Sequence, residues 1–96
     1  MTYEWDPGKA AANRRKHRVS FEEAASVFLD PATLTFADPD HSENEDRSIT
    51  IGRSARRRVL FVAHTERGER LRIISARRAT RREQGQYEEG IDEATR

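Results

Sequence analysis

Between Arg53 and Arg82 the chain carries eleven arginines and two glutamates, a net charge of +9. None of these cations is lysine. Arginine is always charged and presents a planar fork of donors, so it suits bidentate contact with phosphate or carboxylate better than simple solvation. Such a density calls for anionic company, either nucleic acid or an acidic partner; the competing reading is a solvated surface laced with salt bridges. Few groups could move protons beside it. They are His64, His17, Glu83 and Tyr87. His64 falls on a predicted strand, and an unperturbed imidazole titrates near neutral pH. Its bland alternative is a histidine packed at the end of the core against a backbone carbonyl. Tyr87 could stack on a nucleobase or pack its helix onto Phe61. His41 sits in an acidic loop and is expected to be merely exposed.

Three strands must position these groups. They are expected at 47–54, 57–65 and 70–76, runs rich in Ile, Val, Leu, Phe and Thr. Arg67-Gly68 is the expected tip of the second hairpin, because Gly tolerates positive φ. Ala55-Arg56 is the expected, chemically poorer tip of the first. Thr65 then faces Arg70, His64 faces Leu71, Arg53 faces Arg58 and Arg47 faces His64. Alternation gathers Ile49, Ile51, Leu60, Val62, Leu71 and Ile73 on a core face, with Arg47 and His64 at one end. The other face takes Thr50, Phe61, Ala63, Thr65, Arg70 and Arg72, a composition that fits a polar, anionic ligand. A one-residue slip in register would exchange the two faces.

The remaining chain supplies shorter elements. Tyr3-Glu4-Trp5 reads as a strand. Asp6-Pro7 reads as N-cap and first residue of a helix running to about His17. Arg14, Arg15, Lys16 and His17 then fall in its last turn, where positive charge suits the helix dipole; that competes with a functional role for Lys16 and His17. Ser20 to Glu23 fits a capping box, with Val19 able to staple against Ala24. Phe21, Ala24, Ala25 and Phe28 form one apolar stripe, and Asp30-Pro31 ends that helix. Leu34-Thr35-Phe36 is a further strand. Residues 38–46 are acidic but lack the central glycine and terminal glutamate of a calcium loop, so a solvated loop is expected and no metal site. Thr80 to Glu83 fits a second capping box, opening a helix to about Glu89, with Gly90 as its stop and 91–96 frayed. The order is β-α-α-β-β-β-β-α.

Composition sets bounds. A chain of 96 residues is expected to be one domain, 1–96, with a small core. Leu, Ile, Val and Phe total 17, a low figure, but net charge is only +1 and the apolar residues are well patterned, which favours a folded chain. That balance hides an asymmetry: residues 1–52 carry a net charge of −4 and residues 53–96 one of +5. There is no cysteine, hence no disulfide or thiolate metal site. No apolar run approaches a membrane span and no signal-peptide core is visible, so a cytoplasmic protein is expected.

Several motifs in order carry a resemblance. Tyr3-Glu4-Trp5-Asp6-Pro7-Gly8-Lys9-Ala10, Asn13, Lys16-His17, Val19 to Ala24, Ile51-Gly52-Arg53-Ser54 and Arg72 to Ala79, with Glu83 and Tyr87, resemble the BrnT family of bacterial type II toxins, over residues 3 to about 89. The sequence departs from the family pattern at Arg18, where Gly usually follows Lys-His, and at Arg57, which sits in a turn that often carries Gly. The resemblance implies an α+β, RelE-like fold: a small, mainly antiparallel curved sheet, two N-terminal helices on one face, and a C-terminal helix. It implies a metal-independent endoribonuclease without cofactors whose RNA cleavage arrests translation. It also implies a BrnA-like antitoxin of ribbon-helix-helix type, contact with operator DNA only through that antitoxin, and a heterotetramer on an antitoxin dimer. Metal-free cleavage needs the 2′-OH deprotonated or aligned, a proton for the 5′-oxygen, and stabilisation of charge on phosphorus. Arg72 is the expected phosphate contact, with Arg70, Arg77 and Arg78 as neighbours and Arg53 and Lys16 as further RNA contacts. The alternative is a non-catalytic module whose arginines dock an acidic partner or a nucleic acid backbone.

Overall fold

The computed structural model describes residues 1–38, 40 and 46–94, of which 92–94 by backbone alone. His41 and most of the acidic loop lie outside the described residues.

Capping sets the first two helices. Asp6 accepts the Lys9 N–H at 2.9 Å and opens α1, Pro7–His17. Arg18, in the left-handed region at φ 57°, ends it, its N–H bonded to the Arg14 carbonyl. Ser20 caps α2, Phe21–Ser26, through the Glu23 N–H, and a single 3-10 turn, Val27–Leu29, follows. Glu23 does not complete the capping box. Its carboxylate turns away to Ser54 and Arg58. Thr80 and Glu83 do complete theirs, each accepting the other's N–H, and open α3, Arg81–Ala94. That helix runs past Gly90, because Ile91 on the following turn packs against the Tyr87 cluster. Among the described residues no helix is long and apolar enough to cross a membrane.

The five strands, β1 Thr2–Glu4, β2 Leu34–Ala37, β3 Arg47–Arg53, β4 Val59–Arg67 and β5 Arg70–Arg78, form one mixed sheet in the order β1-β5-β4-β3-β2. Only the β1–β5 pairing is parallel. Both faces are covered. On one, Val19, Phe21, Ala24 and Val27 of the helical segment pack on Leu60, Val62, Leu71, Ile73 and Ala76. On the other, Tyr87 and Ile91 of α3 pack on Ile49, Ile51, Phe61 and Ala63.

The register corrects the expected faces. Arg53 pairs with Val59 and Arg47 with Thr65, one residue from the expected pairing, so Ile49 and Ile51 lie under α3 and Thr50 and Gly52 join Leu60 and Val62. The cause is an extra loop residue, Arg57, in the left-handed region at φ 63°. Ser54 and Arg58 close the loop by backbone hydrogen bonds, leaving three residues at its tip. Gly52 now faces the helices. A Cβ there would stand 2.7 Å from Thr33 Cγ2 and 2.8 Å from Val27 Cγ1, so only Gly fits. In the second hairpin Gly68, at φ 63°, and Glu69 form the loop, and Thr65 pairs with Arg72 rather than Arg70. That two-residue shift preserves the faces.

A β-bulge interrupts β5. His64 pairs with Ile73 and Ala63 with Ser75, so Ile74 is the extra residue. Beyond it the alternation inverts. Ala76 turns into the helical core, Arg77 shares a face with Arg72, and Arg78 does not. Asn13 of α1 fixes this point. Its amide oxygen accepts the Ala76 N–H at 3.1 Å, and its amide nitrogen donates to the carbonyls of Ala76 and Val19 at 2.8 and 3.0 Å.

Asn13→Ala leaves three buried backbone groups unpaired and is expected to lower stability by about 2–4 kcal/mol in urea unfolding; a loss under 1 kcal/mol would mean the clasp is dispensable. The two departures from the family pattern, Arg18 and Arg57, are the only non-glycine residues at positive φ among those described. A left-handed arginine is strained by about 1–2 kcal/mol, partly offset by glycine's greater unfolded-state entropy. Arg18→Gly and Arg57→Gly are therefore each expected to raise stability by roughly 0.5–1 kcal/mol, read as a higher melting temperature.

Candidate nucleic-acid interface

The α3-side face of the sheet is only partly covered. The helix lies over β3 and β4 and leaves an open lane along β5. Arg70, Arg72, Ile74, Ser75 and Arg77 follow one another on this face, Arg72, Ile74 and Arg77 half-buried and Ser75 exposed, with Ile74 packed on the cluster under α3. At 3.3 Å per residue, Arg72 and Arg77 stand roughly 15 Å apart along the strand. Arg72 pairs through Thr65 with Arg47, so two guanidinium-bearing residues flank a buried threonine in one row. Among the described residues Arg72 has no carboxylate partner, whereas Arg47 has an interaction of its own.

Arg77 is held firmly. Glu83 takes two of its N–H groups at 2.8 and 3.0 Å, and its guanidinium carbon lies 3.9 Å above the Phe61 ring centroid. Burial alone would raise the Glu83 carboxyl, but hydrogen bonds from Arg77 and Thr80 hold it below its ordinary value. Glu83 is thus an ionised anchor for Arg77, not a proton donor at neutral pH.

Two further candidates are anchored elsewhere. The Tyr87 ring is 2 % exposed, and its hydroxyl donates to Asp30 Oδ2 at 2.6 Å, the oxygen that also accepts the Arg53 N–H at 2.8 Å. Burial and Asp30 raise the phenol's pKa. The same hydroxyl and backbone N–H donors outweigh burial on Asp30 and hold its carboxyl low. Tyr87 packs its helix against Ile49 and Ile51 and offers no face to a base. Arg53 sits at that end of β3, its guanidinium 6.0 Å from the Tyr87 ring centroid.

His64 is on the wrong side of the sheet for the lane. It is 5 % exposed, faces the helical layer, and meets the edge of Phe28 at 5.0 Å. Its Nε2 is 2.7 Å from Thr50 Oγ1, which is 2.8 Å from Thr35 Oγ1; its Nδ1 has no partner. Burial lowers its pKa from 6.5 to about 4, so it is neutral at pH 7. His17 and Lys16 end α1 on that same helical side, away from Arg72. Arg78 is exposed there too, for the bulge aims it away from Arg77.

One residue escaped the sequence reading. Glu4 pairs in register with Arg72 through the parallel β1–β5 contact, and its carboxylate is 3.7 Å from Arg70. It is the carboxylate on the lane. Parallel pairing between residues nearly seventy apart has no local signature. Among the described residues no three His, Asp or Glu side chains converge as a metal would require.

A mixed five-stranded sheet with helices on both faces, and a row of arginines beside one of them, defines a small α+β protein. The chain belongs to the BrnT family, the ribonuclease toxin of type II toxin–antitoxin systems, whose family model matches residues 5–83. The fold is similar to the 1.1 Å crystal structure of the Brucella abortus ribonuclease toxin BrnT, at a TM-score of 0.66 and 24 % identity, over 84 % of this chain and 100 % of that one. No curated protein matches significantly. The family defines a toxin with an antitoxin partner.

The buried imidazole makes stability depend on pH. Unfolded, His64 binds a proton near pH 6.5; folded, only near 4. Its contribution is whole above pH 6.5 and lost as the pH falls toward 4, by roughly 3 kcal/mol at most. His64→Gln, which keeps a hydrogen bond to Thr50, is expected to flatten that part of the stability profile in urea titrations at pH 7, 5.5 and 4. An unchanged slope would mean the imidazole is not desolvated.

Proposed function

We propose that this chain is a metal-independent endoribonuclease with a RelE-like fold and chemistry, a cytoplasmic toxin whose RNA cleavage arrests translation. A BrnA-like, ribbon-helix-helix antitoxin neutralises it and carries the complex to operator DNA, in a heterotetramer built on an antitoxin dimer. The observation that carries the catalytic reading is the lane on β5, where Arg72 forms no ion pair among the described residues and lies in register with Glu4.

RNA lies along β5 with one phosphate at the Arg70/Arg72 end and a non-adjacent phosphate of the same strand at Arg77. The small, exposed Ser75 between them lets the backbone come close. Arg72 holds the scissile phosphate and stabilises the charge that builds on it. Glu4 accepts the 2′-OH proton, and that oxygen attacks the adjacent phosphorus. The P–O5′ bond breaks, the 5′-oxygen takes a proton from solvent, and the products are a 2′,3′-cyclic phosphate and a 5′-hydroxyl. Glu83 and Phe61 act by holding Arg77 in place. Arg53, Arg78 and Lys16 extend the positive field rather than touching the reacting atoms. The non-catalytic alternative draws on the loose Arg70–Glu4 pair, which resembles an acidic segment already docked on the lane.

Labelled RNA with chelator present separates the two. Wild-type protein is expected to release cyclic-phosphate ends. Arg72→Ala should lower kcat/KM by about 10²–10³-fold, and Glu4→Gln should lower kcat with little change in KM. Loss of cleavage on chelation would remove metal independence, full activity in Arg72→Ala would remove this site, and salt-sensitive binding without product would leave only the docking module.

A further inference from the structure

The opposite edge of the sheet is open among the described residues. β2, Leu34-Thr35-Phe36-Ala37, is exposed at all four residues and is paired, among those residues, on one side only. It carries no charge, proline or bulge, the devices that keep an edge strand from recruiting another chain. Leu34 and Phe36 remain 37 % and 38 % exposed, on the α3 side. There they line a groove of about 390 Å³ with Gln86, Glu89 and Gly90 of α3. Past Phe36 and Gln86 it continues to Asp38, Asp40, Thr80 and Arg82.

The charges along this groove differ from those of the lane. Glu83 is neutralised by Arg77, which leaves Asp38, Asp40 and Glu89 against Arg82. Helix α3 has no basic residue in its last turn to offset Glu88 and Glu89 one turn earlier. RNA is repelled here. A second copy paired edge to edge would bring acidic groove against acidic groove. A cationic, strand-forming polypeptide satisfies the open backbone, the apolar floor and the carboxylates together.

We propose that the antitoxin's toxin-binding segment adds to β2 as a sixth strand, its apolar side chains over Leu34 and Phe36 and a Lys or Arg on Glu89. This rests on the toxin reading above and names its partner's contact. The groove is three strands from Arg72, so this contact is separate from the arginine lane.

The test is hydrogen exchange of the full chain with and without the antitoxin encoded beside it, joined to binding titrations. Slowed exchange at 34–37 and 86–90 is expected in the complex. Glu89→Lys should weaken binding at least tenfold and Glu89→Gln less, while RNA cleavage by the free variants stays at the wild-type level. Protection confined to β1 and β5, unchanged affinity in Glu89→Lys, or self-association of the isolated chain that Glu89→Lys abolishes would each overturn the proposal. Failure of the wild-type chain to bind any antitoxin would overturn the toxin reading itself, before any variant is made.

Discussion

A single side-chain amide does the work of a missing strand. β1 ends at Glu4, opposite Arg72, so on that side β5 has no strand neighbour beside Ala76. The Ala76 N–H and C=O would be buried without partners there, at a cost of about 1–3 kcal/mol each. Asn13 meets both and reaches the Val19 carbonyl as well. The amide therefore joins α1, the corner before α2 and the middle of β5 at one point. Because that point lies just past the bulge, it also fixes the inversion that puts Arg77, and not Arg78, beside Arg72. The arginine lane is in this sense a consequence of one asparagine on a helix of the opposite layer.

The second constraint is the β3–β4 loop. Ser54 Oγ and the Arg58 guanidinium converge on the buried Glu23 carboxylate, and Arg58 also donates to the Arg18 carbonyl at 3.1 Å. Burial would raise Glu23, but these hydrogen bonds outweigh it and keep the group ionised. The clamp holds a three-residue loop in which Arg57 takes a left-handed conformation suited to glycine. It thereby sets the parity of β3 against β4, which decides what each face can hold. Ile49 and Ile51 meet Tyr87 and seat α3; Gly52 meets Thr33 and Val27, where no side chain fits.

These two constraints explain what could be read in the sequence and what could not. Local chemistry was legible: Asp6-Pro7, Ser20 and Thr80 announce their helices through caps that need no knowledge of the rest of the chain. The stripe Phe21, Ala24, Ala25, Phe28 announces its buried face, and the β-branched runs announce β3 to β5. The faces were not legible, since a two-residue loop at Ala55-Arg56 and the three-residue loop that forms differ by one residue and invert a strand. Neither was the bulge at Ile74, because the Asn13 contact that fixes it comes from 63 residues away. The family resemblance held part of the cue, for the family usually has Gly where Arg18 adopts positive φ and often carries Gly in the turn that holds Arg57. Of the candidate site, Arg70, Arg72 and Arg77 share the lane. Glu83 borders it as an anchor, Tyr87 is anchored on Asp30 over β3, and His64 and His17 belong to the other layer. Glu4 was hidden by a parallel pairing that only the folded sheet reveals.

How the carboxylates are spent then separates structural arginines from available ones. Arg58 is committed to Glu23 and Arg77 to Glu83, both in hydrogen-bonded pairs partly removed from water, where losing one partner strands the other. Arg70 meets Glu4 only at 3.7 Å and is largely exposed, a pair worth little in water. An RNA phosphodiester carries the same single charge as that carboxylate, so it can take the place of Glu4 on Arg70 at small cost. It could not displace Glu83 from Arg77 without undoing the N-terminus of α3, because the same carboxylate caps the Thr80 N–H at 2.8 Å. The two ends of the lane should therefore respond differently to an anion. The Arg77 end is rigid and pre-formed. In the proposed mechanism the Arg70/Arg72 end would rearrange, releasing the Glu4 carboxylate beside the phosphate, where the attacking hydroxyl needs a base.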